Sequence, residues 1–106
     1  MPKKEKAFET QIRKYLESEG CYCFKVWGGG FQRAGIPDLL ICVNGYFVAV
    51  EVKGDMGKAS ELQVHNLVQI RKAGGIGILL YPEAFDTFKS FVKTLKLKPT
   101  ANKGFY

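Results

Sequence analysis

The feature that most constrains this chain is a pair of apolar runs joined by Asn44-Gly45. The runs are Asp38-Leu39-Leu40-Ile41-Cys42-Val43 and Tyr46-Phe47-Val48-Ala49-Val50-Glu51-Val52-Lys53. Asn-Gly between such β-branched and aromatic segments favours a two-residue turn with both residues at positive φ. Because both runs are almost continuously apolar, the hairpin is predicted to lie in the middle of a sheet covered on both faces. A chain of 106 residues has room for one hydrophobic core, so residues 1–106 read as a single domain.

Around the hairpin, Phe8, Ile12, Tyr15 and Leu16 recur at helical spacing between Lys6 and Glu19, and Gly20 follows as a stop. Cys21 to Trp27 has strand composition and ends at Gly28-Gly29-Gly30, the start of a loop to Gly35 that carries Phe31, Gln32 and Arg33. A second helix spans about Ser60 to Ala73, with Leu62, Leu67, Val68 and Ile70 on its buried side and Gly74-Gly75 after it. Ile76 to Tyr81 is a further strand, stopped by Pro82. A third helix, roughly Glu83 to Leu95, carries Phe85, Phe88, Phe91, Val92 and Leu95, and a basic tail runs from Lys96 to Tyr106. The order α-β-β-β-α-β-α describes an α/β domain with a mixed four-stranded sheet flanked by helices, since a helix between the last two strands implies a parallel crossover.

A two-residue turn fixes the register. Val43 pairs with Tyr46, and counting back places Asp38 directly opposite Glu51. Opposed residues share a face with Cβ atoms roughly 5 Å apart, and Lys53 projects from that same face. Like charges in this position, desolvated beside Leu40, Ala49 and Ile36, destabilise a sheet unless a cation joins them. Mg²⁺ suits such a pair because it takes oxygen ligands and keeps part of its hydration shell for substrate phosphate. It polarises a phosphodiester and acidifies water, and Lys53 is placed to orient that water or stabilise developing charge. The competing reading is a salt bridge at a sheet end, in which Lys53 only neutralises Glu51.

The net charge of +6 favours a polyanionic partner. No apolar run reaches membrane-spanning length and the first residues lack a secretory pattern, so a cytoplasmic protein is expected. Cys21, Cys23 and Cys42 are odd in number, lack zinc-ligand spacing, and read as reduced core thiols. His65, the only histidine, is expected at the surface.

Gly35-Ile36-Pro37-Asp38 followed by Glu51-Val52-Lys53 resembles the signature of the PD-(D/E)xK nuclease superfamily, whose restriction-endonuclease-like core has the element order inferred above. With Glu9 early in the first helix and Ser60-Glu61-Leu62-Gln63 opening the second, it is most similar to the VRR-NUC module. The resemblance implies an Mg²⁺-dependent endonuclease, with Mn²⁺ as a substitute. It assigns Asp38, Glu51 and the Val52 carbonyl as metal ligands and Lys53 as a catalytic residue. Gln63 becomes a further active-site residue and Glu9 an outer or second-metal carboxylate. Ser60-x-x-Gln63 is equally a capping box, and Glu9 is equally able to pair with Arg13 on a solvated face.

Lys25, Arg33 and Lys58 flank the expected site and are candidates to hold phosphates on either side of the scissile bond. Trp27 and Phe31 beside the glycine loop either fit a bent or branched duplex or belong to the core. Short free-standing domains of this type resemble phage Holliday junction resolvases of DNA repair, acting in the cytoplasm of the bacterial host. Two symmetric cuts call for a homodimer, for which Phe85, Phe88, Phe91, Tyr106 and the Ile76 to Tyr81 strand offer apolar surface. The rivals are a flap, nick or non-specific DNA nuclease and a non-catalytic DNA-binding subunit.

Overall fold

The computed structural model describes residues 2–27 and 34–100. Helix α1 (Lys3–Ser18) is followed by β1 (Tyr22–Lys25), β2 (Leu39–Val43) and β3 (Tyr46–Val52), then α2 (Glu61–Lys72), β4 (Ile76–Leu80), a 3₁₀ turn (Pro82–Ala84) and α3 (Phe85–Leu97). The sheet order is β1-β2-β3-β4. The first two pairings are antiparallel and β3 runs parallel to β4, which is the mixed sheet expected from the element order.

Asn44 (φ 52°) and Gly45 (φ 88°) form the two-residue turn, and Val43 pairs with Tyr46 as the count requires. The turn is also tied to the end of α3, because the Asn44 amide donates to the carbonyls of Leu95 and Lys98. Strand alternation then sorts the side chains. Leu39, Ile41 and Val43 join Val48, Val50 and Val52 in one apolar cluster with Ile12 and Leu16 of α1 and Val92 and Leu95 of α3. Glu51, Ala49 and Leu40 fall on the other face, where α2 lies.

Close approach of α2 depends on Gly77. A Cβ there would meet the Leu67 carbonyl oxygen at 2.8 Å, and the Arg71 guanidinium donates to the Gly77 carbonyl. Gly77→Ala should push α2 off the sheet and lower stability by about 1–3 kcal/mol, read as a shift in the urea midpoint.

Several expectations are corrected. Helix α1 starts at Lys3 rather than Lys6; its first turn is polar, so apolar spacing cannot reveal it. Asp38 and Lys53 lie just outside the regular strands. The hairpin is not covered on both faces throughout, because Tyr22, Phe24 and Phe47 are exposed on the face that α2 only partly covers. Cys21 and Cys23 are half-buried and Cys42 is exposed; all three are free. Of the surface expected to serve a dimer, Phe88 is buried and Phe85 and Phe91 are partly buried against the core, while Ile76, Ile78 and Leu79 line an apolar cleft with Phe88 and Phe91. Tyr106 lies outside the described residues.

Candidate active site

Extending the Leu39↔Val50 pairing by one step places Asp38 opposite Glu51, on the face away from the main core. Pro37 ends the regular pairing beside this site. Position 37 would pair with Val52, and proline has no N–H to give to the Val52 carbonyl. The Val52 N–H donates to Asp38 Oδ2, at 2.8 Å, while the Asp38 carbonyl accepts from Val26 at 2.8 Å. Asp38 is thereby fixed to the strands on both sides of it.

Glu51 is 2% exposed. Its Oε2 accepts from Gln63 Nε2 at 3.0 Å and lies 3.5 Å from Lys53 Nζ. Its Oε1 is buried and has no hydrogen-bond partner among the described residues. Burial, followed by the charge of Asp38, pushes the Glu51 carboxyl up to about 8, and the Lys53 ammonium offsets only part of this. A buried carboxylate oxygen without a donor is what a cation would satisfy. Asp38, Glu51 and the Val52 carbonyl, to which Pro37 has no N–H to give, make an oxygen donor set that fits a small hard divalent ion. Among the described residues no group of three or more His, Cys, Asp or Glu gathers at metal-binding distance.

Gln63 serves both readings of it. Its Oε1 accepts from the Ser60 N–H while its own N–H bonds Ser60 Oγ, completing a capping box at the start of α2, and its Nε2 holds Glu51. The helix start is thus locked onto the carboxylate. Gly35 brings α2 close enough for this: it has φ +81°, and a Cβ there would lie 2.7 Å from Leu62 Cγ. Gln63→Glu would keep the capping acceptor but place a carboxylate against Glu51. It should lower cleavage by roughly 10–100-fold, far more than Ser60→Ala, as measured by single-turnover cutting.

The match to known proteins is carried by most of the chain. Residues 1–84 match the family model described as archaeal Holliday junction resolvase (Hjc). The chain belongs to the archaeal Holliday junction resolvase family. Among solved structures, Hjc of the archaeal hyperthermophile Archaeoglobus fulgidus, a Holliday junction resolvase, is similar at 25% identity with a TM-score of 0.55, over 73% of this chain and 69% of that one. No curated protein matches. The family is of the PD-(D/E)xK type, which agrees with the motif.

The remaining candidates separate. Glu9 is 2% exposed, and both its carboxylate oxygens are held by Lys25 Nζ, at 2.5 and 2.7 Å. Glu9 therefore does not pair with Arg13 on a solvated face, and Lys25 is engaged in an ion pair rather than lying free beside the site. Lys25 stands opposite Leu39, so the pair sits near the same sheet end as Asp38 but on the α1 side. Sixteen residues separate the partners, and no local spacing announces such a contact. Lys58 is exposed on the loop after β3 and His65 is exposed, as expected. Arg33, Phe31 and the Gly28–Gly30 segment lie outside the described residues.

Sequence reasoning missed how Lys53 is set. The Gly54 N–H bonds Glu5 Oε1 at 3.2 Å, and the Tyr81 hydroxyl donates to the Gly57 carbonyl at 2.8 Å. The turn between them lies against the lysine side chain, where a Cβ on Gly57 would sit 3.2 Å from Lys53 Cδ.

Proposed function

We propose that Asp38, Glu51 and the Val52 carbonyl hold Mg²⁺, with Mn²⁺ as a substitute, and that Lys53 acts beside them in cutting branched DNA. Membership of the resolvase family makes the chain a structure-selective nuclease of branched DNA, and nucleases of this kind depend on a divalent metal. The observation that carries the assignment to these residues is the buried, unpartnered Oε1 of Glu51 facing Asp38 across the hairpin.

When bound, the metal supplies Lewis-acid stabilisation of charge on the scissile phosphate. The chain's own groups do the positioning. Asp38 is aimed by the Val52 N–H and Glu51 by Gln63. Lys53, kept near Glu51 and largely out of solvent, orients the attacking water by hydrogen bonding and stabilises negative charge on the phosphate. Lys58 and Arg33 neutralise phosphates flanking the scissile bond. Glu9 is an outer carboxylate whose reach to the centre depends on release from Lys25.

Two symmetric cuts require two copies of the site, and a two-fold homodimer supplies them. The exposed Tyr22, Phe24 and Phe47 support this reading, since several exposed aromatic side chains on one face of a small domain suit a protein partner. No helix among the described residues is long and apolar enough to cross a membrane, and the free thiols suit a reducing compartment such as the cytoplasm.

The test incubates the protein with Mg²⁺ or Mn²⁺ and a four-way junction, a flap and a linear duplex of matched sequence. Preferential, metal-dependent cutting of the junction is expected. Equal cutting of all three would remove the preference for branched DNA and leave a general nuclease.

A further inference from the structure

Trp27 is the only tryptophan of the chain, and 70% of its surface is exposed. Its ring rests on Lys25 Nζ, 4.7 Å from the ring centroid, and that ammonium is anchored by buried Glu9. The indole is therefore backed by a fixed cation and is still largely open to solvent. Its neighbour Val26 donates its N–H to the Asp38 carbonyl, so the ring stands one residue from a direct tie to the candidate metal ligand.

A rigidly backed aromatic surface at the rim of a DNA-cutting centre calls for a flat apolar partner. In an uninterrupted duplex each base is stacked on both sides and has no face to offer. At a branch point the stack is broken and base faces become accessible. Aromatic side chains bind such faces without regard to sequence, which suits recognition of shape. We propose that Trp27 stacks on an unstacked nucleobase at the branch point and so registers the branch against the scissile phosphate. The inference rests on the branched-DNA reading above and adds the residue that distinguishes a branch from a plain duplex.

The single indole makes the contact directly visible. In Asp38→Asn protein, which is expected to bind without cutting, a four-way junction should quench the tryptophan emission, whereas a long linear duplex at saturation should leave it unchanged. In the otherwise wild-type protein with Mg²⁺, Trp27→Ala should lower kcat/KM on the junction roughly tenfold, with affinity for the linear duplex unaltered. Trp27→Phe, which keeps a stacking face, should retain most of the junction rate. Unchanged emission on the bound junction, equal quenching by junction and duplex, or wild-type junction cutting by Trp27→Ala each overturns the proposal while leaving the nuclease reading intact. A wild-type protein that cuts no DNA with either metal removes the nuclease reading itself, and the proposal with it.

Discussion

Replacing Asp38 by Asn is expected to lower junction cleavage by on the order of 10³-fold, the scale of losing several kcal/mol of charge stabilisation at a phosphate. The metal-free protein should be as stable as before, or more so. The asparagine carbonyl can still accept from the Val52 N–H that Asp38 Oδ2 accepts at 2.8 Å, so the strand end keeps its hydrogen bond. What disappears is the repulsion from Glu51, second only to burial among the causes of that residue's raised pKa. Single-turnover cleavage and thermal unfolding in chelator measure the two halves. Cleavage retained together with a marked loss of stability would make the trio an ion pair at a sheet end.

Glu51→Gln carries the second large effect, through pH. Burial and Asp38 raise the Glu51 carboxyl from 4.5 to about 8, so the folded metal-free protein keeps a proton that the unfolded chain releases. The stability this contributes is full below pH 4.5 and is lost as pH rises to about 8. Stability of the metal-free wild type should therefore decline across that window, while Glu51→Gln should lack this component and be the more stable protein at its upper end. Metal binding must displace the same proton, so the Mg²⁺ concentration needed for half-maximal cutting should fall as pH rises towards 8. The variant should not cut at any Mg²⁺ concentration.

Much of this site was legible because one turn fixes it. Asn44-Gly45 permits only a short list of conformations, and once Val43 meets Tyr46 the opposition of Asp38 and Glu51 is a matter of counting. Ser60 and Gln63 were readable for the same reason, since a capping box is a local arrangement. The resemblance implies only a place for Gln63 in the active site; its bond to Glu51 needs the tertiary approach of α2, which Gly35 and Gly77 permit. The Lys25–Glu9 pair, the Glu5 bond to Gly54 and the Tyr81 bond to Gly57 join distant segments, and no periodicity encodes them. The open aromatic half of the sheet was hidden for a different reason. Tyr22, Phe24 and Phe47 have the composition of a buried strand, and their exposure follows from tertiary packing that composition does not encode.

Calorimetric titration of Mg²⁺ near pH 7, in buffers of different ionisation enthalpy, tests whether Glu51 and Asp38 are the metal ligands. Binding is expected to release about one proton, supplied by the buried Glu51 carboxyl, and Asp38→Asn and Glu51→Gln are each expected to abolish it. Tight Mg²⁺ binding that releases no proton and persists in both variants would contradict the ligand assignment.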